Sequence, residues 1–555
     1  MPDLAYYKGR WIAQGEDGSI AAVGESLNEA RQFGVQARPR SRLTLAWVSP
    51  YPPHVMLPEW PLTTVQGVPF KATTWLAGGP VRDLLLGRVP HDWDFVTEGS
   101  GLQLARAVAN TLGGAYYALD AERGTGRAIV DRPGSTEPIM LDFAELRGPS
   151  IEADLWERDF TVNAMALTLD GQLIDPTGGR FDLEAELLRM TKCSTFEDDP
   201  VRLLRAVRLA TQFTFTIEAE TATRLRSQTG MIRHIAPERI RQELVKLLAH
   251  PRAHIGLEQL AWSGLLSGVL PELADASAAQ ETAAKDNALA GAVALVSTLH
   301  ELDQLLHGGP RTHTPRGSAN RHGTPPAWGW QMLSQALAQQ QRELLVYLNT
   351  RVSAEVTRSD LLKWSALFCG PTAAEEASWQ RAAARLEGLR FSGSSIGFTT
   401  VTLRALPQFA ELVARGSGPA RAPISDLEIY RYYRSAGESG VAVALLALAR
   451  LLAASGSKLN REEWMQYLMT AAALLEAYFD RRDTVISPAR LLTGHDLIQM
   501  GLPQGPELGQ ALERLREAQA AGEVKNRPEA VAFVEQDIRS LTGSEITDVT
   551  SYETS

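Results

Sequence analysis

Trp75–Thr97 reads WLAGGPVRDLLLGRVPHDWDFVT, and its reading decides the fold around it. Thr73–Ala77 is short, β-rich and mostly apolar, and it stops at Gly78-Gly79. Val81–Gly87 then carries helix formers, with Val81, Leu84 and Leu85 at helical spacing. The segment therefore predicts strand, glycine turn, helix. Two glycines let backbone approach a phosphate, the helix start offers N–H groups, and Arg82 adds a charged fork, so Gly78, Gly79 and Arg82 suit a triphosphate. Pro90 and His91 turn the chain into Asp92-Trp93-Asp94-Phe95-Val96. Strand alternation places Asp92 and Asp94 on one face and Trp93 and Phe95 on the other. Two carboxylates beside phosphate oxygens favour Mg²⁺, which takes a few carboxylates plus substrate phosphates in preference to an all-protein cage.

A Gly-Gly turn alone is ordinary, and Asp-x-Asp arises by chance in an acidic chain. In this order and spacing the two point to one site. The segment resembles the signature of the class II tRNA nucleotidyltransferase and bacterial poly(A) polymerase family. There, Gly-Gly-x-x-Arg-Asp-x-Leu-Leu-Gly-Arg precedes the Asp-x-Asp of the catalytic sheet.

The composition is that of a folded chain: 555 residues, 44% hydrophobic and 22% charged, long enough for several domains. A net charge of −10 requires any nucleic-acid contact to come from a local basic patch. Cys193 and Cys369 are the only cysteines, too few for a disulfide scaffold or a zinc site. The N-terminal residues lack signal-peptide character, and the longest apolar run, Val441–Ala449, is too short to span a bilayer. The expectation is a cytoplasmic protein with no membrane partner.

Residues 1–65 read as a small accessory α/β module outside the resemblance. Tyr6-Tyr7 and Gly9–Ala13 form a strand, Gly15–Gly18 a turn and Ser19–Val23 its partner. Leu27–Phe33 is helical, Leu43–Val48 a third strand, and Pro52, Pro53, Pro58 and Pro61 a stiff connector. Residues 70–190 are expected to form the catalytic head, with a helix at Leu102–Leu112 and strands at Gly114–Leu119, Arg127–Val130 and Ile139–Phe143. Asp142 on the last of these is a candidate third catalytic carboxylate, where the family carries an acidic residue; a solvated strand-end aspartate is the other reading.

Arg158-Asp159-Phe160-Thr161-Val162-Asn163-Ala164 resembles the family's Arg-Arg-Asp-Phe-Thr-x-Asn-Ala motif, with Glu157 in place of the first arginine. The resemblance implies Asp159 on the ribose hydroxyl, Arg158 on phosphates and Asn163 as a supporting contact. Asp198-Asp199-Pro200-Val201-Arg202 resembles the nucleotide-selecting Glu-Asp-x-x-Arg motif, with Asp198 at the first acidic position. Pro200 suits a first helical turn, and spacing puts Asp199 and Arg202 on one helix face. That spacing is ordinarily a salt bridge. It also offers an acceptor beside a donor fork, which matches cytosine and adenine and leaves uracil and guanine mispaired. Arg205 and Arg208 continue the face, to brace the pair or reach phosphates. Pro237–Leu244 resembles the motif that follows, with Glu238 and Arg241 either orienting the selecting helix, touching the primer end, or simply solvated.

Beyond residue 250 the chain reads as helical, Ala- and Leu-rich. Leu306–Trp328 interrupts it as a Gly/Pro-rich loop with Arg311, Arg316 and Arg321, a candidate to brush RNA. Leu361–Gly370 falls where some relatives carry a His-Asp metal pair, and Cys369-Gly370 stands there instead. His495-Asp496 reads as a helix-cap region.

The whole is expected to be α+β: a nucleotidyltransferase (polymerase beta-like) mixed-sheet head at 70–190, a nucleotide-selecting neck at 191–260, and a helical, degenerate HD-like body at 261–480. An RNA-binding helical tail at 481–540 and a disordered stretch at 541–555 complete it. The resemblance implies template-independent addition of CMP and/or AMP, from CTP and ATP, to a tRNA or other RNA 3′ end, releasing pyrophosphate. Asp92 and Asp94 hold Mg²⁺ in that reading, and DNA is not an expected partner. The alternatives are a poly(A) polymerase on general RNA and an inactive RNA-binding relative.

Overall fold

The computed structural model describes residues 10–24, 27–48, 59–90, 92–131, 138–274, 282–308, 324–369, 377–415 and 423–543. The chain divides into two units, Met1–Ile235 and Ala236–Ser555.

The first unit opens with the hairpin β1 (Arg10–Gly15) and β2 (Ile20–Gly24), followed by α1 (Leu27–Ala37) and β3 (Leu43–Val48), with sheet order β2-β1-β3. Asp17 closes the turn by accepting from the backbone N–H and hydroxyl of Ser19, at 3.1 and 2.6 Å. Tyr6, Tyr7, Gly9, Pro52, Pro53 and Pro58 lie outside the described residues. The proline connector is revised at its described end, because Pro61 stands in the first turn of a helix, α2 (Glu59–Gly67). Proline lacks the N–H that a first turn leaves unbonded, so it starts helices readily.

A seven-stranded mixed sheet follows among the described residues: β4 (Thr74–Ala77), β5 (Asp92–Thr97), β6 (Ala115–Asp120), β7 (Thr125–Asp131), β8 (Pro138–Glu145), β9 (Ala166–Thr168) and β10 (Leu173–Ile174). Their order is β10-β9-β4-β5-β8-β7-β6, with β5 and β8 parallel and the remaining pairs antiparallel. α3 (Gly79–Leu85) links β4 to β5. α4 (Gly101–Leu112), capped by Ser100 and ended by Gly113 in the left-handed region, buries Leu104, Ala105, Val108 and Ala109 on one face of the sheet. α5 (Ile151–Trp156) covers part of the other face, where Ile151 and Leu155 pack with Trp75, Ala77, Val96 and Ala166. The N-terminal module joins this packing through Trp11, whose ring centroid lies 6.2 Å from that of Trp156.

Short elements then lead away from the sheet: α6 (Gly179–Glu184), β11 (Leu187–Leu188), α7 (Thr195–Asp198), α8 (Arg202–Phe213), β12 (Thr216–Ile217, parallel to β11) and α9 (Ala219–Ser227). Gly179 is required by close approach, since a Cβ there would meet the Thr161 carbonyl oxygen at 2.0 Å.

The second unit starts with α10 (Pro237–Ala249), and its regular elements among the described residues are helices. The buried Lys363 donates to the Leu248 and Ala249 carbonyls at 3.1 and 3.2 Å, satisfying the C-terminal end of α10. The stretch Asp426–Lys458 is long and apolar enough to cross a membrane, which the shorter run Val441–Ala449 does not suggest. It is interrupted at Gly437, and 78% of its apolar window is buried inside the protein, as in the core helix of a soluble protein. The interruption expected at 306–328 is shorter, because the flanking helices run to Leu306 and from Ala327; Arg311, Arg316 and Arg321 lie outside the described residues. Leu361–Phe368 is helix, and Gly370 falls outside the described residues. Thr493 and Asp496 form a reciprocal capping box, so His495-Asp496 does lie in a helix-cap region.

Candidate active site

The turn after β4 is held open by Gly78, whose φ of 86° and ψ of −136° belong to a region that side chains other than glycine's avoid. Its N–H donates to the Met165 carbonyl at 2.9 Å, tying the turn to the stretch before β9. A Cβ on Gly78 would lie 2.5 Å from Nη1 of Arg158, so the missing side chain leaves room for that guanidinium. Arg158 donates from Nε to the buried Asp154 at 3.0 Å, which fixes its reach across the turn. The expected pair Gly78 and Arg158 is thus together. Arg82 is buried and already engaged: Nε and Nη2 donate to Asp83 Oδ1 at 2.9 and 2.8 Å, and Nη1 to Asn163 Oδ1 at 2.5 Å. Its guanidinium carbon sits 4.2 Å over the Phe213 ring. Burial pulls its pKa below the usual arginine range.

On β5, Trp93 and Phe95 are buried while Asp92 is exposed and Asp94 half-buried, so the alternation holds. The parallel register sets Asp94 directly beside Asp142 of β8. Burial first, then the Asp142 carboxylate and more weakly Asp92, push the Asp94 carboxyl up to about 6, against the guanidinia of Arg158 and Arg127. Asp142 is held bidentately by Arg127 of β7, Nε to Oδ1 at 2.6 Å and Nη2 to Oδ2 at 2.7 Å. Three carboxylates and one guanidinium therefore share one patch of the sheet.

Behind them runs a hydrogen-bonded chain. Asn163 accepts from Arg82 and donates from Nδ2 to Asp159 Oδ1 at 3.0 Å, and Arg205 Nη1 donates to Asp159 Oδ2 at 3.1 Å. Burial alone would raise the Asp159 pKa. Arg205 and the donors Asn163 and Phe160 N–H outweigh it and hold the carboxyl below its ordinary range. A buried, ionised acceptor wired to two guanidinia is a rigid polar anchor for a hydroxyl-bearing ligand.

The selecting motif is arranged differently from the spacing argument. Asp199 has extended backbone, φ −152°, ahead of α8, and its carboxylate accepts the Val201 N–H at 3.3 Å. Arg202, first residue of α8, sends Nη1 to the Thr195 carbonyl at 3.3 Å and Nη2 to the Glu157 carbonyl at 2.8 Å. The one-helix-face geometry is corrected: a residue before the helix does not follow its 100° periodicity. Arg208 donates to Gln212 Oε1 at 3.0 Å. Gly79 opens α3. Glu238 and Arg241 lie on α10 in the second unit. Arg241 donates there to Glu355 at 2.9 and 3.2 Å and to the backbone carbonyl of Arg390.

Three residues escaped the sequence reading. Arg127 had one signal, a charged residue at an alternating position of a strand. Asp154 had none beyond its place four residues before Arg158. Lys192 bridges Glu157 and Asp198, the latter at 3.0 Å, and thereby joins the two positions at which the motifs depart from the family pattern.

Asp92, Asp94 and Asp142 offer only oxygen donors, which suit a hard divalent cation, and such a cation would offset the carboxylate repulsion that adds to burial in raising Asp94. Among the described residues no three His, Cys, Asp or Glu side chains group to hold a metal by themselves. The rest of a coordination shell would come from water or phosphate.

Comparison with known proteins finds relatives along most of the chain. The family described as Poly A polymerase head domain matches residues 74–189. "Probable RNA and SrmB- binding site of polymerase A" matches 214–277, and tRNA nucleotidyltransferase domain 2 matches 424–534. The chain is 30% identical over 496 residues to an A-adding tRNA nucleotidyltransferase of Deinococcus radiodurans, covering 86% of this chain and 98% of that one. It is 29% identical over 462 residues to a CC-adding tRNA nucleotidyltransferase of Geobacter sulfurreducens, covering 83% and 91%. The fold is similar to the apo form I of a CCA-adding enzyme, with a TM-score of 0.53 at 21% identity over 88% of this chain and 93% of that one. From the head sheet to the C-terminal helices, this chain belongs to the class II tRNA nucleotidyltransferase family.

Proposed function

We propose that the chain adds CMP and/or AMP, from CTP and ATP, to the 3′ end of tRNA without a template, releasing pyrophosphate. The observation that carries this reading is the juxtaposition of Asp94 with Asp142 on parallel strands, with Arg158 seated against Gly78. A nucleotide triphosphate and an attacking hydroxyl need an anionic cation site beside a cationic phosphate seat. In this reading Asp92 and Asp94 hold Mg²⁺, which supplies charge neutralisation and acidifies the 3′-hydroxyl. Gly78, Gly79 and Arg158 receive the triphosphate. Arg82 steadies Asn163, and Asp159, ionised and anchored by Arg205, takes the ribose hydroxyl. Asp199 and Arg202 present the base-reading edge, with Arg202 braced by the Thr195 and Glu157 carbonyls. Most of the rate comes from positioning and charge neutralisation. The head at 70–190, neck at 191–260, body at 261–480 and tail at 481–540 divide this work, the tail holding RNA. The setting is the cytoplasm.

Relatives that add CC and relatives that add A match this chain almost equally, at 29% and 30% identity. The test is incorporation by purified protein with Mg²⁺ on tRNA transcripts ending before CCA, after C and after CC, and on an unrelated RNA. CTP and ATP are supplied separately and together. Extension of a tRNA end is the expected result, and the step at which it stops names the reaction as CCA, CC or A addition. Long A tails on any RNA would make it a poly(A) polymerase. Bound tRNA with no incorporation would overturn the enzymatic reading.

A further inference from the structure

The half of the head sheet beyond β5 carries more than carboxylates. Register aligns Asp94, Asp142, Arg127 and Tyr117 directly across β5, β8, β7 and β6. The neighbouring row runs Asp92, Met140, Ile129 and Ala115. Tyr117 is 53% exposed, Leu119 47% and Met140 37%. The exposure is specific to this face, because the adjacent Tyr116 points to the α4 side, where the Arg106 guanidinium lies 4.8 Å over its ring. The Tyr117 ring and the Met140 side chain thus stand in solvent on the same face as the carboxylates, with Leu119 exposed at the register shift of β6.

We propose that Tyr117 is a stacking platform for the single-stranded 3′ end of the acceptor RNA, receiving the base of its penultimate nucleotide. The proposal rests on the polymerising reading above. Strands lie about 4.8 Å apart, so three strand spacings put Tyr117 roughly 14 Å from Asp94, a reach of about one to two nucleotides. A 3′-hydroxyl delivered to the carboxylates therefore brings the preceding base over this ring. Base–aromatic stacking tolerates any sequence, as an enzyme whose primer end changes with each addition requires. A protein docked on Tyr117 and Met140 would instead lie over Asp142 and Asp92 and obstruct the site.

The experiment uses the full chain and the tRNA end that the wild type extends, with KM measured separately for RNA and nucleotide. Tyr117→Ala should raise the RNA KM on the order of tenfold. The nucleotide KM should stay unchanged, and Tyr117→Phe should restore the wild-type value. A tRNA with an abasic penultimate position should lose as much on the wild type and little more on Tyr117→Ala. An unchanged RNA KM, or fully additive losses, would overturn the platform. Should the wild type extend no RNA, the functional reading falls and binding alone judges the platform. Quenching of Tyr117→Trp beyond the wild-type signal on titration with a tRNA 3′-end oligonucleotide supports it, and no added quenching overturns it.

Discussion

In the proposed reading Asp94 competes for a proton and for a cation with the same oxygens, and its surroundings decide the contest. Burial and the carboxylates of Asp142 and Asp92 raise its carboxyl to about 6. Below that value the proton occupies the site; above it the carboxylate is free to bind a cation. Mg²⁺ affinity should therefore fall as pH drops from 7.5 through 6 to 5, and calorimetric titration at those three values measures it. Asp94→Asn should flatten the dependence and lower the rate on the order of 10³-fold or more, the loss of several kcal/mol of charge stabilisation. A wild-type affinity that stays flat from pH 5 to 7.5 would remove Asp94 from the cation site. Arg127 sharpens the distinction between the carboxylates, since its bidentate hold leaves Asp142 already neutralised in part. Asp92, exposed at the strand start, has the most freedom to turn toward a cation.

The turn between β4 and α3 is the element whose backbone the site depends on. Gly78→Ala would force a side chain into positive φ, at about 1–3 kcal/mol, and push aside an Arg158 pinned by Asp154. The expected result is a lower unfolding temperature together with a raised nucleotide KM; a stable variant with wild-type KM would separate Arg158 from nucleotide binding. A second element links the two motif departures. Glu157→Arg, which restores the family residue, leaves Lys192 facing a cation and should destabilise by no more than about 1 kcal/mol, since these side chains are partly exposed. Adding Lys192→Gln removes the repulsion together with the Lys192–Asp198 pair, so a thermal double-mutant cycle should show partial recovery. These cases mark what the residues disclose by themselves. Alternation in Asp92–Val96 and the glycine turn were legible because strand period and glycine conformation are local properties. The position of Arg202 was not, because Asp199 precedes the helix and its extended φ breaks the expected phase. Nor was the meeting of Trp11 with Trp156, which depends on tertiary packing between segments far apart in the chain.

Within the second unit, the C-terminal helices carry their own core, including Leu492, Leu497, Leu502, Leu515 and Val534. They meet the helix Asp426–Ala436 through polar contacts: Tyr430 to Glu513 at 3.0 Å, Arg434 to Glu513 at 3.0 Å and Arg431 to Glu517 at 2.7 and 2.8 Å. The arginine side chains in these contacts are well exposed, so each pair contributes on the order of 0.2–1 kcal/mol and weakens with salt. Such a joint is firm enough to orient a separate core and weak enough to loosen without unfolding it. Glu513→Gln with Glu517→Gln should therefore raise hydrogen exchange in the helix Pro506–Ala520 while leaving the sheet of the first unit protected. If this part of the chain holds RNA and the first unit binds nucleotide, the same variant should raise the RNA KM several-fold and leave the nucleotide KM within twofold, about 0.4 kcal/mol. The difference in RNA KM between wild type and variant should narrow as salt is raised, because salt weakens the wild-type joint while the variant has already lost its carboxylates. Equal shifts in both KM values would show that the C-terminal helices act on the nucleotide site as well, and the proposed division of work between head and tail would fall.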